Sequence, residues 1–158
     1  MAIGKTKLEE FSKKVAEVNE TTFWLNAANT EQVKRLIIKL NTEIQLGRQN
    51  LDSKGIRLSE IGGGYSPVTL MISEEDGRPK LGPDRIDLHN TGRFWRSWRV
   101  RITAKSIKIE ADPITTDGTN LKDRWGPNII GLTNENQNVV TKQIKENYFK
   151  EVRRYFNL

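Results

Sequence analysis

The residues best suited to chemistry gather around His89, the chain's one histidine. Asp84 and Asp87 precede it and Ser97 follows it. A histidine with two carboxylates can begin a metal site, but a stable site needs more ligands and a supporting shell. The neighbouring sequence supplies none at a useful spacing. A histidine near a serine can activate a nucleophile, yet no nucleophile-elbow or oxyanion-hole phrase surrounds Ser97. Glu74, Glu75 and Asp76 are consecutive, so their carboxylates diverge and read as a solvated acidic turn. Gly4-Lys5-Thr6 carries the last letters of a phosphate-binding loop without the earlier glycine or the preceding strand. Asp52-Ser53-Lys54-Gly55 is too short for a calcium loop and reads as a turn. Catalytic residues, cofactors and metals are therefore not expected, and His89 with Asn90 is expected to hydrogen-bond a turn.

Binding chemistry is better represented. Arg93-Phe94-Trp95-Arg96-Ser97-Trp98-Arg99-Val100-Arg101-Ile102 follows the turn signal Asn90-Thr91-Gly92. Read as a strand, it places Phe94, Trp98, Val100 and Ile102 on a core face. Arg93, Trp95, Arg99 and Arg101 then share the other face. Two readings of that second face stand open. Tryptophan and arginine anchor protein interfaces. Cations interleaved with aromatics also bind single-stranded nucleic acid by charge and stacking.

The totals bound these options. A chain of 158 residues fits one domain with a core of its own. A hydrophobic content of 35% is lean, which suits a subunit stabilised by neighbours. The net charge of +6 favours anionic partners. The absence of cysteine excludes disulfides and thiol chemistry. No apolar run is long enough to span a bilayer, and the charged stretch Met1 to Glu10 carries no export signal.

The elements that position these residues follow from periodicity and turn signals. Lys5 to Val18 reads as a helix with a Leu8, Phe11, Val15 and Val18 stripe. Asn19 to Asn29 reads as a packed connection. A second helix starts at Asn29 or Thr30, with Asn29 and Gln32 resembling a capping box. It buries Val33, Leu36, Ile37, Leu40 and Ile44 and ends near Gly47. Residues 50–87 are dense in turn signals and read as a long extended loop, or an arm laid on a neighbouring subunit. In that arm Gly62-Gly63-Gly64 reads as a hinge before Tyr65. Ser106 to Ala111 forms the second strand of an antiparallel hairpin around Thr103-Ala104-Lys105. Leu121 to Trp125 is a helical turn stopped by Gly126-Pro127, and Ile129 to Leu132 a short edge strand. A last helix starts at Thr133, with a stripe from Val139 and Val140 to Tyr155. The expected class is α+β, in a single domain over residues 1–158.

These phrases together resemble a family of tailed-phage virion proteins of the tail-completion or virion-morphogenesis kind. The resemblance rests on Gln45 and Gln49, Asp52-Ser53-Lys54-Gly55, Tyr65-Ser66-Pro67-Val68-Thr69, and Leu88-His89-Asn90-Thr91-Gly92-Arg93-Phe94-Trp95-Arg96-Ser97. The hairpin and Trp125-Gly126-Pro127-Asn128-Ile129-Ile130-Gly131-Leu132 complete it, over roughly Thr30 to Phe156. Phe94-Trp95 and the triple glycine depart from the usual pattern, as in a divergent branch such as the tail hub proteins of crAss-like phages. The resemblance implies a non-enzymatic virion subunit at the head–tail junction or in the tail, made in the host cytoplasm. It implies a homo-oligomeric ring around the DNA conduit, in contact with other phage head–tail or tail proteins. Arg93, Trp95, Arg99, Arg101, Gly62, Gly63, Gly64 and Tyr65 would then form subunit contacts. Arg96, Lys105 and Lys108 would face packaged DNA through its phosphates, without base reading.

Overall fold

A computed structural model describes residues 7–158, with side chains from residue 9 onward. Gly4-Lys5-Thr6 and the start of the first expected helix lie outside the described residues. Helix α1 spans Lys7–Ala16. Its Phe11 and Val15 stay about half exposed, and Phe11 packs on Phe156 at 5.1 Å between ring centroids.

The expected connection at 19–29 is instead a helix, α2 (Glu20–Ala28). The Asn19 side chain caps it by accepting from Thr22 N at 3.1 Å. Phe23, Ala27 and Ala28 are buried on one side of it. Helix α3 (Glu31–Lys39) starts at Thr30, whose hydroxyl accepts from Val33 N at 3.2 Å. The chain then continues without a break into a π-helix, Leu40–Gln49, which ends at Asn50 in the left-handed region. The widened turn carries Asn41 and Gln45, both fully buried.

Helix α8 (Asn134–Phe156) starts at Thr133 as expected, the hydroxyl accepting from Asn136 N. It runs roughly 35 Å and packs along α2 through Val140, Ile144 and Tyr148. Phe23 meets the Tyr148 and Tyr155 rings edge-on. Contrary to expectation, Val139 at the start of its stripe stays exposed.

The sheet is the single antiparallel hairpin of β1 (Arg99–Ile102) and β2 (Ile107–Glu110) among the described residues. The strand expected from Arg93 onward is corrected. Its first half is a helical turn, α6 (Arg93–Arg96), closed by Arg96 N to Gly92 O and Ser97 N to Phe94 O. Gly92, at φ 79°, turns the chain into it. The expected edge strand at 129–132 is also absent. Pro127–Ile129 forms a 3₁₀ turn after α7 (Leu121–Trp125). The backbone of Gly131 is taken by side chains instead. Its N–H donates to Asn41 Oδ1 at 3.1 Å and its carbonyl accepts from Gln45 Nε2 at 2.8 Å.

Residues 50–87 fold onto their own chain more than a free arm would. They form two short helices, α4 (Leu58–Gly62) and α5 (Pro67–Glu75). Leu58 and Ile86 are fully buried, in a cluster with Leu46, Phe94, Trp98 and Trp125. A second cluster joins α2, α3 and α8 to the inner hairpin face. The architecture is α+β: N-terminal helices, a small antiparallel sheet and a long C-terminal helix. No helix among the described residues is long and apolar enough to cross a membrane.

Candidate functional site

The hairpin owes its two faces to strand alternation. Val100, Ile102, Ile107 and Ile109 point inward onto the second cluster. Arg99, Arg101, Lys108 and Glu110 point out, with Arg99 opposite Glu110 and Arg101 opposite Lys108. Glu110 accepts from Lys108 Nζ at 2.7 Å and from Arg101 Nε at 3.2 Å. The Lys108 hydrogen bond, helped by the nearby arginines, holds its carboxyl below the usual carboxylate range. At the base of the hairpin Arg93 pairs with Asp112 at 2.8 Å. Asp112 is held low first by the Ile114 N–H and then by Arg93. Arg96 donates to Thr91 O at 3.3 Å. Lys105 sits in the exposed turn that Thr103 Oγ1 organises by accepting from Lys105 N and Ser106 N. Among the described residues, Arg99 and Lys105 enter no ion pair.

The other expected contact residues are spoken for within the chain. Trp95 does not project with Arg99 and Arg101. Its indole N–H donates to Asp87 O at 3.1 Å and the ring packs on the first cluster. The helical turn at 93–96 rotates it there, where a strand would have turned it outward. Gly62 and Gly64 form a close-packed seam instead of a hinge, while Gly63 between them, at φ 73°, has open space around it. A Cβ on Gly62 would sit 2.6 Å from Trp125 Cδ1, and one on Gly64 would sit 2.8 Å from Pro83 O. Arg124 clasps the seam, donating to Gly62 O and Gly64 O at 2.8 Å each, while its guanidinium lies over the Trp125 ring.

Tyr65 is buried behind this seam. Its hydroxyl donates to Asp87 Oδ1 at 3.0 Å and accepts from Leu88 N at 3.2 Å. Burial, then the Asp87 charge, pushes the phenol well above its ordinary value, so it stays a donor. Lys80, its side chain 10% exposed, pairs with the same Asp87 oxygen at 2.8 Å and also bonds His89 O. His89 N donates to Asp87 as well, so His89 does belong to a hydrogen-bonded turn. The knot holds Leu88 in the left-handed region, at φ 53°. Beside it opens a cleft of about 670 Å³ between α5 and the 115–125 segment.

The chemistry weighed around His89 is not assembled. Ser97 Oγ donates to Phe94 O and accepts from Asp112 N. No group of three metal-capable side chains converges among the described residues.

Sequence reasoning missed the outer face of α5. Ser66 caps this helix, accepting from Thr69 N at 3.1 Å, and Pro67 opens it. Cap followed by proline was the available signal. Leu70 and Ser73 turn inward, Ile72, 48% exposed, stands at the rim of the cleft, and Val68 and Met71 are 58% and 55% exposed on the outer side. Beyond them Glu74, Glu75 and Asp76 form an exposed acidic end, and Leu81 is 75% exposed.

No protein-family model, curated protein or solved structure matches the chain.

Proposed function

We propose that the chain is a structural virion subunit of a tailed phage that assembles as a ring at the head–tail junction or in the tail. The observation that carries this reading is the apolar face of α5. Met71 and Ile72 each lie about one helical turn from Val68, and all three are exposed, an arrangement that marks a contact surface for another protein. The ordered phrases from Asp52 to Leu132 supply the phage context. Mass photometry of the purified protein, with immunogold microscopy of particles, tests the reading. A closed oligomer and labelling at the neck or tail are expected. A monomer at every concentration that is absent from particles would sink it.

A second reading is favoured by one observation: Arg99, Arg101, Lys105 and Lys108 face outward against the single carboxylate Glu110. On that reading the hairpin is a nucleic-acid-binding face. A salt titration of binding to single-stranded DNA separates the two, because phosphate contacts give a steep salt slope.

A further inference from the structure

We propose that the apolar, acidic ridge of α5 in one copy seats on the outer face of the β1–β2 hairpin in the next copy. The inference rests on the reading of the chain as an assembling subunit and names the two surfaces that meet.

The first observation is electrostatic frustration within the subunit. Glu74, Glu75 and Asp76 stand at the C-terminal end of α5, whose last turn holds no basic residue. A helix C-terminus already carries partial negative charge, so carboxylates there are unfavourable and cations are favoured. None of the three enters an ion pair among the described residues.

The second observation is the complementary surplus on the hairpin. Arg99 and Lys105 likewise enter no ion pair among the described residues, and Arg101 and Lys108 share one carboxylate between them. The methylene stems of these side chains can cover apolar surface while their charged ends reach out. The hairpin therefore offers both things the ridge lacks: a cover for Val68, Met71 and Ile72, and cations for its acidic end.

Because the two surfaces differ, the contact can repeat head to tail from copy to copy, which generates a ring where the rotation closes. A hairpin meeting a second hairpin would set cation against cation. Ridge against ridge would do the same with carboxylates.

The test uses two exposed double variants of the full chain. One carries Glu74→Lys with Glu75→Lys, the other Arg99→Glu with Lys105→Glu. Circular dichroism checks that each is folded, and mass photometry reads assembly at low and high salt. Wild type is expected to assemble, and each variant alone to assemble at least tenfold more weakly, since each sets like charges across the contact. An equimolar mixture is expected to restore assembly, because the reversed ridge then faces the reversed hairpin. Variants that assemble like wild type overturn this contact while leaving the ring reading intact. Loss of assembly that mixing does not restore overturns it too. A wild type that never assembles removes the ring reading itself. A hairpin variant that loses binding to duplex DNA yet assembles normally assigns the hairpin to nucleic acid, and the proposed contact fails.

Discussion

Replacing Gln45 tests the reasoning about the fold most directly. Its side chain is fully buried and satisfies groups from three residues. Nε2 donates to Gly131 O at 2.8 Å, and Oε1 accepts from Thr133 N at 2.9 Å and Asn136 Nδ2 at 3.2 Å. Gln45→Leu keeps most of the volume and deletes every partner. Asn136 is itself buried, at 5% exposure, and no other bond is seen for its Nδ2. A buried group left unpaired costs about 1–3 kcal/mol, and less where water can reach it, as at the part-buried Gly131 O and Thr133 N, so the expected loss is about 3–5 kcal/mol. That is a large share of the ~5–15 kcal/mol typical of a domain. Urea denaturation followed by tryptophan fluorescence and circular dichroism measures it. Gln45→Glu is the partner experiment. It retains the acceptors, but its ionised form sets a carboxylate against Gly131 O. Its deficit should shrink as the pH falls and the protonated acid can donate to that carbonyl. A leucine variant that loses less than about 1 kcal/mol, with an unchanged denaturant slope, would refute the idea that these bonds hold the π-helix to the start of α8.

Other outcomes follow from the seam and the knot. Gly62→Ala drives a methyl into Trp125 and Arg124 O and should cost about 1–3 kcal/mol by overpacking, read as a lowered midpoint in thermal melts. Tyr65→Phe should flatten the alkaline limb of the stability curve. The phenol's pKa is raised on folding, so its contribution is complete below about pH 10 and is lost as the pH climbs above that, by at most about 1.4 kcal/mol per pH unit. Lys80→Met should cost about 1–2 kcal/mol, less than the roughly 3–5 of a fully buried pair, because Asp87 is 35% exposed and partly screened. Hydrogen exchange at the Leu88 and His89 amides should rise in that variant, since Asp87 loses its cation.

The fold was legible where one residue pattern excluded alternatives. Thr133 before a long apolar stripe gave the start of α8, and alternating Val100, Ile102, Ile107 and Ile109 gave the inner hairpin face. Phe94 and Trp98 were placed correctly for an incomplete reason. A spacing of four brings two residues to one face in a helix and in a strand alike. Trp95 exposed the difference, because the next residue points opposite in a strand but only part-way round in a helix. Helix α2 was hidden because its Asn19 cap precedes β-branched Thr21 and Thr22, which weaken helix propensity. It forms because Phe23, Ala27 and Ala28 are covered by other elements. The π-helix left one trace, the amides of Asn41 and Gln45 on a stripe that otherwise reads apolar. At the candidate contact, the exposed cations Arg99, Arg101, Lys105 and Lys108 were legible. The seam at Gly62–Gly64 was not, because it depends on Trp125 and Pro83 arriving from elsewhere in the chain.

The amide clasp also bears on how the chain reaches this state during synthesis. Gln45 bonds residues 86 to 91 positions further along, and Asn147 Nδ2 reaches back 120 positions to Ala27 O. Pairings so distant in sequence carry a loop-closure cost and slow the folding of the units that need them. Until the segment after residue 130 is in place, the faces of α2 and α3 that pack on α8, and the amides of Asn41 and Gln45, lack part of their cover, the hairpin supplying the rest. A nascent chain at that stage shows a polar amide pair within an apolar stripe, a surface suited to chaperone capture. The segment from residue 131 to 147 therefore completes the burial of the stretch from residue 27 to 45.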